Sequence, residues 1–94
     1  MTYRIALAAS ARKALRKLSR SGSFDRGSLD TLLVLFETGV SLPTHYKDHG
    51  LHGAFSGSRE CHLAFDLLVL YKRDDALCTV TIQDIGTHEE LFGG

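Results

Sequence analysis

Five histidines in a chain of 94 residues, all after residue 44, are the side chains here best suited to chemistry: His45, His49, His52, His62 and His88. Imidazole titrates near neutrality, so it serves as general acid or base at working pH. Asp66 stands four residues after His62. Metal-free RNA cleavage needs just such groups. One takes the proton of the ribose 2′-hydroxyl, another protonates the leaving oxygen, and a nearby cation steadies the charged phosphorane. His49, His62, Asp66 and His88 could fill these roles, with Lys47 or Arg59 as the cation. Plainer readings stand beside this one. His45 and His52 also read as surface residues of a hydrophilic loop, and His62 with Asp66 as a structural hydrogen bond. His45, His49 and His52 with Cys61 or His62 offer enough donors for zinc, but in no standard zinc spacing. Phe92 reads as a base-stacking aromatic or as a clamp on the C-terminus. Tyr71 and Phe65 read as core or sheet packing.

The elements that must position these groups are legible from periodicity. Tyr3 to Leu7 alternates weakly as a first strand. Ser10 is a reasonable N-cap. Ala11, Ala14, Leu15 and Leu18 then form an apolar helical stripe, with Arg12, Arg16 and Arg20 on another side. Ser21-Gly22-Ser23 breaks the pattern. A second helix begins near Asp25, carries Leu29, Leu32, Leu33 and Phe36, and ends at Gly39. Ser41 to Ser58 reads as a long loop leading to a short strand near Ala54–Phe55. Arg59 to Asp66 alternates, with Cys61, Leu63 and Phe65 on one side and His62, Ala64 and Asp66 on the other. Leu67 to Lys72 is a central strand and Asp74-Asp75 a turn. Leu77 to Asp84 alternates again, Cys78, Val80 and Ile82 against Thr79, Thr81 and Gln83. Thr87 can cap a short helix ending at Phe92. This β-α-α-β-β-β order predicts an α+β fold: an N-terminal strand and helical hairpin packed on a small antiparallel sheet, with a short C-terminal helix. The chain reads as one domain over residues 1–94, without repeats or linkers.

Composition limits the function classes. At 44% hydrophobic and 23% charged, the chain is of ordinary globular type. No apolar run approaches the roughly 20 residues of a membrane span, so no membrane partner is expected. The N-terminus does not read as a secretory signal. Cys61 and Cys78 form no C-x-x-C pair and read as buried thiols of a cytoplasmic protein. The net charge is zero but unevenly placed. Residues 1–20 hold six cations and no acid, while the rest holds five cations and eleven acids. A basic segment with Arg12, Lys13, Arg16 and Lys17 can face nucleic acid or an acidic protein, or simply be a solvated helix face.

The ordered set KDH, L-x-G, G-x-R-E-C-H, D, Y-K and G-T-H-x-x-L-F, from about Leu42 to Phe92, resembles the YafQ branch of the RelE-like type II toxins. The N-terminal half agrees in layout only. The resemblance implies a RelE-like fold. It also implies a ribosome-dependent endoribonuclease that cuts mRNA in the A site without a cofactor or metal and is neutralised by a cognate antitoxin. It assigns the site to His49, His62, Asp66, His88 and Phe92. His88 or Asp66 would be general acid or base, and His49 and His62 would orient or stabilise the phosphate. Lys47, Arg59 and the four basic residues of the first helix are the expected RNA contacts. Two positions depart from the pattern: Leu67 where Trp is usual, and Asp84 where Arg is common. An anion near a phosphate site opposes binding, or could act on a neighbouring histidine. The other readings are a non-cleaving protein on the same scaffold, either a gyrase poison or a decayed toxin that only binds antitoxin, and a small zinc-binding regulator.

Overall fold

A computed structural model describes residues 2–22 and 24–93. Strand β1 (Arg4–Leu7) leads into helices α1 (Ala9–Ser21) and α2 (Arg26–Thr38). Strands β2 (His49–Gly50), β3 (Arg59–Ala64), β4 (Leu67–Asp74) and β5 (Thr79–Gly86) and helix α3 (His88–Phe92) follow. The five strands lie in the order β1-β5-β4-β3-β2. The fold is α+β, as the sequence predicts. β2 to β5 pair antiparallel with their neighbours, while β1 joins β5 in parallel. Periodicity reports a strand and its faces, not the direction of a partner 75 residues away in the chain.

The helical hairpin forms from strong local signals. Alanine, leucine, arginine and lysine dominate α1, and all are good helix formers. Its cap is Ala8 rather than Ser10. The Ala8 N–H is already bonded to the Ile82 carbonyl at 2.9 Å, so the chain leaves the ladder and enters the helix within one residue. The expected break holds at Gly22, which has φ 75°; Ser23 lies outside the described residues. Asp25 caps α2, accepting from the Gly27 N–H at 3.0 Å and the Ser28 hydroxyl at 2.7 Å. Gly39 ends α2 at φ 74°. A Cβ there would stand 2.5 Å from the Tyr3 ring, so both conformation and space demand glycine.

The hairpin covers one face of the sheet. Ala11, Leu32 and Phe36 meet Cys61, Val69, Tyr71, Val80, Ile82 and Ile85 in one buried cluster. Tyr46, from a 3₁₀ turn at Thr44–Tyr46, joins the same cluster. Two irregularities set the register. Leu63 bulges out between the His62–Leu68 and Ala64–Leu67 pairs, and Gln83 lies between Asp84 and Ile82, which face Leu70 and Tyr71. The second bulge breaks the alternation of β5, so Ile85 joins Val80 and Ile82 in the core.

Several local expectations change. The stretch expected as a strand near Ala54–Phe55 is a 3₁₀ turn, Gly53–Phe55, and the short strand of this loop is β2 instead. Phe65 packs against nothing: Ala64 pairs with Leu67, so Phe65 and Asp66 are the two residues of a tight turn and Phe65 is 99% exposed. Cys61 is buried as expected, but Cys78 is half-buried and sits in the turn before β5 at φ 49°.

Candidate active site

The β2–β3 register builds the centre of the site. His49 pairs directly with Glu60, which places their side chains together on one face. His62 follows two residues later in β3 and shares that face. The His49 Nδ1 lies 2.7 Å from the Lys47 carbonyl. A carbonyl can only accept, so Nδ1 carries a proton and Nε2 is left to face the site. That Nε2 lies 3.8 Å from Glu60 Oε1, and the Nε2 of His62 lies 3.6 Å from the same oxygen. Glu60 is only 6% exposed. Glu60 thus lies within ion-pair reach of both rings, a contact that is attractive when an imidazole carries the second proton.

Helix α3 adds the other side. The Thr87 hydroxyl accepts from the Glu90 N–H at 3.1 Å, and Glu90 Oε1 accepts from the Thr87 N–H at 2.8 Å. This reciprocal cap fixes the first turn. His88 and Phe92 are four residues apart and fall on one side of the helix, their ring centroids 5.3 Å apart. Phe55 meets Phe92 edge-on at 5.0 Å. Asp66 reaches α3 from the β3–β4 turn and accepts from the His88 N–H at 3.4 Å. The result is a cleft of about 300 Å³ lined by His49, His52, Phe55, Glu60, His88 and Phe92.

The structure thus gathers His49, His62, Asp66, His88 and Phe92, though not quite as the alternation implied. Asp66 stands beside His88 from a turn and is not the strand neighbour of His62. The other expected residues divide. Lys47 is exposed next to His49, at φ 52°. Arg59 donates from Nε and Nη2 to Asp48, at 3.2 and 3.0 Å, and the Tyr71 hydroxyl donates to the same carboxylate. Asp48 holds the Arg59 guanidinium charged even more firmly than usual. Burial, then the Asp48 carboxylate, pushes the Tyr71 phenol well up. Arg59 therefore braces the loop that carries Lys47 and His49. The Arg12 guanidinium donates to the Leu7 carbonyl at 3.0 Å. Lys13 and Lys17 line a separate groove with Leu18, Asp84 and Leu91, and Lys17 lies 3.5 Å from Glu90. Arg16 is exposed on the same helix. Asp84 is in that groove, where it accepts from the Ile85 N–H at 2.9 Å, and is not among the residues lining the histidine cleft.

Cys61 is buried in the core under the helices, apart from the histidines of the expected zinc set. Among the described residues, no group of three or more His, Cys, Asp or Glu side chains is arranged to hold a metal ion. Sequence reasoning passed over Glu60 and Asp48; it read Tyr71 as packing, which holds, and missed its bond to Asp48. A glutamate inside an alternating strand reads as an outward polar residue, and only the register with His49 reveals its role.

The fold recurs in solved structures. A metal-bound toxin from Helicobacter pylori superposes with a TM-score of 0.86 at 34% identity, covering 98% of this chain and 100% of that one. YafQ in the Escherichia coli DinJ–YafQ toxin–antitoxin complex superposes with a TM-score of 0.84 at 32% identity, covering 99% and 100%. The E. coli K12 mRNA interferase toxin YafQ is 36% identical over 78 residues, 82% of this chain and 83% of that protein. A helical hairpin on a five-stranded sheet, with a histidine cleft closed by a short C-terminal helix, is here the scaffold of a bacterial type II toxin. The family profile described as the bacterial toxin of type II toxin–antitoxin system, YafQ, matches residues 3–93. The chain belongs to the YafQ family.

Proposed function

We propose that this chain is a metal-independent endoribonuclease that cuts mRNA in the ribosomal A site, stops translation in the cytoplasm and is neutralised by a cognate antitoxin. The observation that carries this reading is the convergence of His49 and His88 with the Phe55–Phe92 pair around one small cleft, with His62 tied to it through Glu60 and Asp66 through His88. In the reaction, a base removes the 2′-hydroxyl proton and the 2′-oxygen attacks the adjacent phosphorus. The bond to the 5′-oxygen then breaks as an acid protonates it, leaving a 2′,3′-cyclic phosphate and a 5′-hydroxyl. His88 or Asp66 serves as acid or base. His49 and His62 orient and steady the phosphate, and Phe92 supports a base of the bound strand. RNA provides its own nucleophile, so no step calls for a metal. The names of the relatives support the reading, since one is an mRNA interferase and another is seen with its antitoxin DinJ.

Expression of the chain alone should arrest growth, and His62→Ala or His88→Ala should relieve the arrest. Co-expression of the product of the adjacent reading frame should do the same. Purified protein stripped of transition metals should cleave mRNA on programmed ribosomes in magnesium buffer as fast as untreated protein, with 2′,3′-cyclic ends. Normal growth with well-folded protein, or arrest without new mRNA ends, would sink the proposal; the second outcome would favour a non-cleaving toxin on this scaffold.

A further inference from the structure

Phe65 is the most exposed large apolar side chain described, at 99%. A single exposed apolar residue usually calls for no explanation, but its setting here is specific. It occupies a two-residue hairpin turn, where glycine, asparagine and aspartate are the usual residues, so the turn itself does not ask for it. It lines a second cleft, of about 490 Å³, with His45, Lys47, His62, Leu63 and Ala64. His62 belongs to this cleft and also touches Glu60 of the first, so the two clefts meet at the histidines. The next residue after Phe65 is Asp66, bonded to His88. An aromatic face beside a lysine is what holds an unpaired nucleotide: the ring stacks on the base and the cation meets the phosphate. The Phe55–Phe92 pair lines the first cleft and not this one.

We propose that Phe65 is a positioning residue that stacks on the base flanking the cleaved bond on the side away from Phe92. This rests on the ribonuclease reading above. The strand would then be gripped by an aromatic on each side of the scissile phosphate, which holds the 2′-oxygen in line for attack.

The test is single-turnover cleavage of mRNA on programmed ribosomes by wild type, Phe65→Ala and Phe65→Trp. The mRNAs carry an abasic residue at either nucleotide flanking the cleaved bond. Phe65→Ala should slow cleavage of intact mRNA about 5- to 150-fold, the range for loss of one stacked base. Phe65→Trp should restore it, and melting temperature should stay the same in all three. At one of the two positions the abasic residue should slow wild type by a similar factor and slow Phe65→Ala no further. Equal cleavage by Phe65→Ala and wild type overturns the proposal alone, as does an abasic penalty that adds in full to the substitution. Weaker antitoxin binding by Phe65→Ala with unchanged cleavage also overturns it and marks a protein-docking surface instead. Failure of wild type to cleave any programmed mRNA overturns the ribonuclease reading, and this proposal with it.

Discussion

Glu60 and Cys61 are consecutive residues of β3 with opposite tasks. Glu60 touches two histidines of the cleft, while Cys61 is wholly buried under the helices. Glu60→Gln keeps the shape and removes the charge. Since Glu60 acts through the imidazoles, the variant should lower kcat at least tenfold with KM and melting temperature nearly unchanged; an equal rise in KM would mean that Glu60 helps hold RNA instead. Burial, the largest cause, pushes the Cys61 thiol from 9.0 up to about 12. In the unfolded chain the thiol ionises from about pH 9, while the folded chain keeps it neutral. The unfolded state then holds fewer protons, so stability present below pH 9 drains away between pH 9 and 12. Urea unfolding across that window should show the fall. In Cys61→Ala the decline should be shallower, with the buried Tyr71 phenol accounting for part of what remains. The histidines announced themselves by type and number. Glu60 did not, because its meaning depends on which residue of the next strand it faces.

At the scale of elements, the helices and most strands were legible because their signals are local. Asp25 and Gly39 bracket α2, and Thr87 with Glu90 caps α3. What was not legible arose from pairing. The Ala64–Leu67 pair turns Phe65 and Asp66 out of the strand, the bulge at Gln83 shifts Ile85 into the core, and β2 exists only because β3 offers it an edge. The junction of β1 and α2 shows how such pairing constrains a residue. The Tyr3 N–H donates to the Glu37 carbonyl at 2.8 Å. Arg73 reaches over the Tyr3 ring at 4.7 Å and donates to the Gly39 carbonyl at 2.8 Å. Gly39→Ala would force a Cβ into the Tyr3 ring and a left-handed alanine into the cap. It should cost about 1–3 kcal/mol, read by urea denaturation, and a change within 0.3 kcal/mol would show that the junction relaxes freely. The brace under the site is a second such junction. Asp48→Ala strips Arg59 and Tyr71 of their shared acceptor and should destabilise the fold by about 2 kcal/mol. It should also slow cleavage by loosening the loop that carries Lys47 and His49.

Taken as a whole, the molecule separates the histidine cleft from its basic surface. His49, His52 and His88 line a cleft with Phe92 of α3, while Lys13 and Lys17 line a separate groove with Leu91 of the same helix. The charge count foresaw a basic segment but could not place it relative to the histidines, since that relation passes through the parallel β1–β5 pair and α3. If α1 contributes only long-range attraction to RNA, its effect must show in binding and not in the chemical step. Lys13→Ala, Arg16→Ala and Lys17→Ala combined should raise KM on programmed ribosomes and leave kcat within about twofold. Arg12 is best left in place, because its bond to the Leu7 carbonyl makes it partly structural. Each lost phosphate contact should also reduce the slope of log affinity against log salt by about 0.7–0.9. A variant with unchanged KM and salt slope would free α1 from RNA binding and leave its basic face to the antitoxin; a matched fall in kcat would place α1 at the reaction itself.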